Sequence, residues 1–141
     1  MLVRSVTNND YYEILDLYTE FTNEEYRVSK EQFENFMDTT LTINHRLYVI
    51  EDFEGRVVGC ATLLIEHKLI HNQSKVAHIE DVIINSKHRG LGYGKVLIKS
   101  LITKAMEEDC YKVILDCEDD IRPFYESCGL SEKGIQMALY F

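Results

Sequence analysis

A chain of 141 residues with a hydrophobic share of 45% can bury roughly two-thirds of its unfolded surface in one core, so a single domain is expected over residues 1–141. A net charge of −9 argues against general nucleic-acid binding, which needs lysines and arginines clustered over an extended face, and no apolar run approaches the ~20 residues of a membrane span. Residues 1–10 lack the long apolar core of an export signal, and Cys60, Cys110, Cys117 and Cys128 form no Cys-x-x-Cys pair, so a reducing cytoplasm is the expected setting.

In chain order, residues 2–6 read as a first strand. Thr7 and Asp10 then form a capping pair before Tyr11, Ile14, Leu15, Tyr18 and Phe21, which recur at helical spacing. Ser29 and Gln32 make a second capping box ahead of a short helix carrying Phe33, Phe36 and Met37. Residues 47–50 and 57–65 flank Glu54-Gly55 as a β-hairpin, and residues 76–84 extend the sheet. A helix is predicted from Gly92 to about Glu108, with Val96, Leu97, Ser100, Leu101, Lys104 and Ala105 along one side. Residues 112–117 return as a strand, parallel to the one before the helix because the unit is a strand-helix-strand crossover. Pro123 suits a first helical turn, Gly129 suits a C-terminal cap, and residues 136–141 read as a final strand.

The segment Arg89-Gly90-Leu91-Gly92-Tyr93-Gly94 lies between the strand ending at Ile84 and the long helix. Glycines let a backbone approach an oxyanion closely, and the first turn of a helix aims unpaired N–H groups at it. A nucleotide P-loop is excluded, because the required first glycine is Arg89 and Lys95 is followed by Val96 instead of Ser or Thr. A dinucleotide fingerprint is also excluded, because the spacing is Gly-x-Gly-x-Gly and the site lies past mid-chain. An ordinary turn remains the bland alternative. Lys87, His88, Arg89, Lys95 and Lys99 gather around this loop and suit a compact anion within an otherwise acidic chain.

The Arg-Gly-x-Gly-x-Gly loop after a strand resembles the pyrophosphate loop of the GNAT superfamily of acyl-CoA-dependent N-acyltransferases. More specifically, Ile79-Glu80-Asp81-Val82, Cys110-Tyr111-Lys112, Leu115-Asp116-Cys117 and residues 124–129 resemble the glucosamine 6-phosphate N-acetyltransferases, as does Glu66-His67-Lys68-Leu69-Ile70-His71. The resemblance covers well over half of the chain in the right order. It implies an α/β (α+β) GNAT fold, a central mixed and mostly antiparallel β-sheet whose parallel strands splay apart, flanked by helices. It also implies acetyl-CoA as the acyl donor, an amino-sugar phosphate as acceptor, and a homodimer in which the C-terminal strand contributes to the partner's site.

By the same resemblance, Val82, Ile83 and Ile84 line up with the pantetheine arm, and Arg89, Gly90, Leu91, Gly92, Tyr93, Gly94 and Lys95 hold the diphosphate. Tyr125 is expected to protonate the leaving thiolate, Asp116 to orient the amine or accept its proton, and Glu80 and Asp81 to position the sugar. Strict strand alternation would send Glu80 and Asp81 to opposite faces. Thr22, Lys68, Leu69, Ile70 and His71 are expected to touch the substrate, a solvated loop being the alternative for residues 68–71. His67, His71 and His78 are not expected to bind a metal, since residues 63–65 look strand-like and residues 68–71 look like a loop. Two departures from the family stand out: the ending Met137-Ala138-Leu139-Tyr140-Phe141 has no arginine for the sugar phosphate, and Ile121 replaces a cofactor-contacting Asn. Transfer to another small amine, and a non-catalytic acyl-CoA-binding module, both remain compatible with these residues.

Overall fold

Thr7 and Asp10 fix the first change of direction. In the computed structural model, which describes residues 1–141, strand β1 (Leu2–Ser5) runs into a 3-10 turn at Asn8–Asp10. There the Thr7 N–H and hydroxyl donate to Asp10 Oδ2 at 2.7 and 3.1 Å. Arg4 adds two donors to the same buried carboxylate at 2.8 and 2.9 Å, and its Nε reaches Glu51. Burial alone would raise the Asp10 pKa, but the Arg4 and Thr7 donors hold it below the ordinary carboxylate value. Helix α1 (Tyr11–Thr22) follows and buries Ile14 and Leu17. Helix α2 (Lys30–Thr39) opens on a reciprocal cap: the Gln32 N–H donates to Ser29 Oγ, and the Ser29 N–H donates to Gln32 Oε1.

The remaining strands are β2 (His45–Glu51), β3 (Val57–His67), β4 (Lys75–Ile84) and β5 (Cys110–Ile114), paired in the order β1-β2-β3-β4-β5. All neighbours are antiparallel except β4 and β5, which are parallel and joined through helix α4 (Tyr93–Glu107). Alternation divides the core into two layers. Tyr48 and Ile50 join Leu97, Ile98 and Leu101 of α4 on one face, while Leu47 and Val49 join Ile14, Leu17 and Phe33 on the other. A single turn, α3 (Ile70–Gln73), links β3 to β4 with His71, Asn72 and Gln73 at positive φ. After β5 a 3-10 turn at Asp119–Ile121 leads into α5 (Arg122–Glu126), with Pro123 in its first turn. No helix is long and apolar enough to cross a membrane.

Two local irregularities make the site. Cys60 pairs with Ile83 and Thr62 with Glu80, so β4 carries one residue more than β3 between these pairs, and Asp81 takes φ +50° there. The bulge reverses the phase of the strand: Ile79 packs under α4, whereas Ile83 packs with α1 and α2. The regular alternation of β4 is therefore broken between Glu80 and Ile83. Second, β5 pairs only with Lys75–His78 of β4, leaving residues 79–84 unpaired on that side. This is the splay.

Two expectations are corrected. The strand predicted over residues 112–117 forms instead at Cys110–Ile114, because β4 offers no partner to β5 beyond His78. The strand predicted over residues 136–141 does not form: residues 130–141 contain no regular element, and Ile135, Met137, Leu139, Tyr140 and Phe141 are exposed. The outer edge of β5 is left without a strand partner in this chain.

Candidate active site

Two cavities share Tyr125 as a wall. The smaller, about 670 Å³, lies between Val82, Ile83 and Ile84 of β4 and the glycine segment. The larger, about 1010 Å³, lies beside β5 and is bordered by His78, Glu80, Lys112 and Asp116. Both are of the size of small-molecule sites.

The smaller cavity owes its shape to backbone. Gly90 and Gly92 take φ of +74° and +92°, and a Cβ at either would meet nothing within 4 Å, so the main chain is open to an approaching group. The first turn of α4 bonds Val96 N–H to Gly92 O at 3.1 Å, which leaves the N–H groups of Tyr93, Gly94 and Lys95 without helical partners. Arg89 and Lys95 add positive charge at the wall. A Cβ on Gly94 would stand 3.1 Å from Phe124 Cζ, so α4 and α5 meet through this missing side chain. The arrangement suits a phosphorylated ligand whose anionic end meets the helix start.

The larger cavity is acidic. Glu80 has a raised pKa because it is partly buried and because the negative charges of Asp116 and Asp81 lie nearby. Between the cavities, the Tyr125 phenol is pushed up to about 12 by burial, with Cys117, Cys128 and Asp116 adding to the effect. It stays protonated at neutral pH and can donate to an anionic leaving group. A bound acceptor amine near Glu80 and Asp116 would face carboxylates able to orient it or take its proton.

The sequence-predicted residues fall into three groups. Val82, Ile83, Ile84, Arg89, Gly90, Gly92, Gly94 and Lys95 border the smaller cavity, whereas Leu91 is exposed and the Tyr93 ring is buried edge-on to His88. Tyr125 borders both cavities, and Glu80 and Asp116 border the larger. Asp81, Thr22 and residues 68–71 border neither. The Asp81 charge acts on Tyr18 and Cys60, on the α1 face. The Thr22 hydroxyl donates to Tyr18 O at 3.1 Å. Lys68 pairs with Glu66 at 2.7 Å, Leu69 and Ile70 are exposed, and the His71 ring lies 5.0 Å from that of Tyr111, a wall of the larger cavity. The three histidines separate: His67 faces Asn44, His78 faces Glu66 and His71 faces Tyr111.

Sequence reasoning missed Glu20 and Phe21, which α1 brings to the smaller cavity. The helical pattern gives Phe21 a core role, and it marks Glu20 only by its oddity, an acid in the last turn of a helix.

The sequence pattern of the acetyltransferase (GNAT) family matches residues 9–130. A glucosamine 6-phosphate N-acetyltransferase from Candida albicans is 38% identical over 136 residues, covering 95% of this chain and 89% of the relative. A probable glucosamine 6-phosphate N-acetyltransferase from rice is 42% identical over 101 residues, 70% of this chain, and this chain spans 61% of its length. The crystal structure of glucosamine-6-phosphate N-acetyltransferase from Arabidopsis thaliana superposes with a TM-score of 0.91 at 33% identity, covering 99% of this chain and 97% of that one.

Proposed function

The chain belongs to the acetyltransferase (GNAT) family and, within it, to the glucosamine 6-phosphate N-acetyltransferases, and on that premise we propose that it moves the acetyl group of acetyl-CoA onto the amine of D-glucosamine 6-phosphate. The products are N-acetyl-D-glucosamine 6-phosphate, a precursor for UDP-N-acetylglucosamine synthesis, and CoA. The observation that carries this reading is Tyr125, a buried phenol that forms a wall of both the glycine-lined cavity and the acidic one. A donor thioester and an acceptor amine entering from the two sides would meet beside it.

In this reading the diphosphate rests on the N–H groups of residues 89–94, and the pantetheine arm runs along the unpaired edge of residues 82–84. The Val82 N–H polarises the acyl carbonyl as negative charge grows on its oxygen. The neutral amine attacks the carbonyl carbon and the C–S bond breaks. The amine loses one proton toward the carboxylates around Glu80 and Asp116, and the departing thiolate takes one from Tyr125. No covalent acyl-enzyme is needed. Asp81 shapes the site through the bulge.

The phosphate of the sugar needs a cation. Arg122 is engaged by Asp119, Glu126 and Glu132, and Lys68 by Glu66, whereas Lys112 forms no ion pair and borders the larger cavity. Lys112 takes the phosphate in this account. A homodimer completes it: the exposed tail of each copy pairs with the free outer edge of β5 in the other, next to the larger cavity.

A second reading has its own support. With Arg122 neutralised by three carboxylates, the larger cavity suits a cationic amine without phosphate, such as a polyamine or an unphosphorylated amino sugar. Following free thiol with acetyl-CoA and a panel of amines separates the two. The expected result is fastest release with glucosamine 6-phosphate, and no release above hydrolysis with that sugar rejects it as substrate. In the same assay Tyr125→Phe lowers kcat by about 100-fold; full turnover would remove the tyrosine from the reaction.

A further inference from the structure

The geometry points to Glu20 as a positioning residue for the acyl donor, acting through the segment that joins β4 to the glycine loop. The inference rests on the smaller cavity being the acetyl-CoA site. Glu20 projects from α1 and is separated from its partners by more than sixty residues of sequence. Its Oε1 accepts from the Ser86 backbone N–H at 2.6 Å and from Arg89 Nη2 at 3.2 Å, and its Oε2 accepts from Asn85 Nδ2 at 3.0 Å. Arg89 in turn donates from Nε to Ile84 O at 2.9 Å. One carboxylate thus ties together the last residue of β4, the 3-10 turn at Ser86–His88 and the arginine that opens the glycine loop.

The placement is electrostatically unfavourable on two counts. Glu20 lies in the last turn of α1, where the helix dipole disfavours an anion. It also borders the cavity that would receive a diphosphate. A carboxylate kept there is compensated only by its three donors. Those donors are the residues that set where the loop N–H groups point. Glu20 therefore holds the loop entry in place before the donor arrives, and the ligand meets amides already aimed at it, so less ordering is lost on binding.

Acetyl-CoA binding by the full chain, measured by calorimetry, and steady-state kinetics with acetyl-CoA test this. Glu20→Ala is expected to raise both the Kd and the KM for acetyl-CoA about tenfold with kcat within twofold, because the effect is on ground-state placement of the diphosphate. Glu20→Gln keeps an acceptor oxygen for Ser86 and is expected to recover most of the affinity. A truncated donor, S-acetyl-N-acetylcysteamine, carries no diphosphate, and its kcat/KM should be the same for the native protein and Glu20→Ala. Ser86→Pro supplies an independent probe: it removes the N–H that Glu20 receives, at a first-turn position that tolerates proline and follows an extended Asn85. It should reproduce the tenfold effect, and the double variant should add little to either single one.

An unchanged Kd in both Glu20→Ala and Ser86→Pro overturns the inference, as does an equal loss with the truncated donor. If the native protein binds no acetyl-CoA, the reading of the cavity falls and this inference with it. Native binding with unaltered variants removes only the role of Glu20.

Discussion

Glu80 shows how a residue's charge is set by its neighbours. The Glu80 carboxyl is raised by partial burial and then by Asp116 and Asp81, so it gives up its proton at higher pH than an isolated glutamate. If ionised Glu80 orients the amine or accepts its proton, kcat/KM falls as pH drops through this raised value. Asp116→Asn removes one of the negative charges responsible, so the Glu80 proton is lost more readily and the acid limb moves to lower pH, whatever happens to the height of the profile. A pH series of kcat/KM for both proteins checks the sign, and an acid limb that stays in place detaches Glu80 from catalysis. Tyr125 contributes no alkaline limb near neutrality, since its phenol is pushed up to about 12. At this scale the sequence was readable where a residue's place follows from its own motif, as for Tyr125, which packs beside Phe124 and borders both cavities. It was silent on Glu20, whose partners are brought to it by the packing of α1 across the sheet. It also gave no sign of the bulge at Asp81, because an inserted residue at φ +50° leaves no mark in an alternation pattern.

At the scale of elements, the capping boxes, the hairpin and the crossover were legible because each is decided by residues a few positions apart. Ser29 with Gln32 forms the reciprocal bonds that their spacing implies, and Asp10 accepts from the Thr7 N–H as a capping residue does. The limits of β5 were not legible, because they are set by where β4 stops offering partners rather than by where the apolar run stops. The junction between β4 and α4 depends on two glycines for different reasons. A Cβ on Gly94 would press on the Phe124 ring at 3.1 Å, whereas Gly92 has room but stands at φ +92° as the residue preceding α4. Gly92→Ala therefore meets no clash and costs only backbone conformation, about 1–2 kcal/mol. If the loop relaxes to escape that strain, its N–H groups turn from the diphosphate, and the KM for acetyl-CoA rises about tenfold, the equivalent of about 1.4 kcal/mol. Gly92→Asn should lose less, since asparagine tolerates the left-handed region better than alanine. Equal kinetics for Gly92→Ala and the native protein would show that the loop does not need this conformation.

At the scale of the whole molecule, the chain has an unmatched strand pattern and an unmatched sheet edge. Residues 130–141 expose Ile135, Met137, Leu139 and Phe141, apolar at every second position, and β5 carries no strand on its outer side. Tyr111 and Ile114 are exposed along β5, and the larger cavity lies against the same strand. An open edge next to apolar surface is a template for another strand, and the tail does not pair with β5 of its own chain. Pairing between two copies would satisfy both features at once and close a symmetric, self-limited assembly. It would also place part of one subunit against the acceptor cavity of the other. The sequence supplied the strand pattern but not its partner, because alternation specifies that a strand wants an edge and says nothing of whose edge it is. Replacing Met137, Leu139 and Phe141 together by aspartate keeps the length of the tail while removing most of its apolar face and leaves Ile135, which borders the chain's own larger cavity, unchanged. Sedimentation equilibrium should then give the mass of one chain for the variant and of two chains for the native protein. If the acceptor cavity is completed by the partner's tail, the KM for glucosamine 6-phosphate rises at least tenfold in the monomer, whereas acetyl-CoA, held by β4 and the glycine loop of a single chain, binds with its native Kd. A native protein that sediments as one chain would remove the dimer. A monomeric variant with an unchanged sugar KM would keep the dimer but take the tail out of the acceptor site.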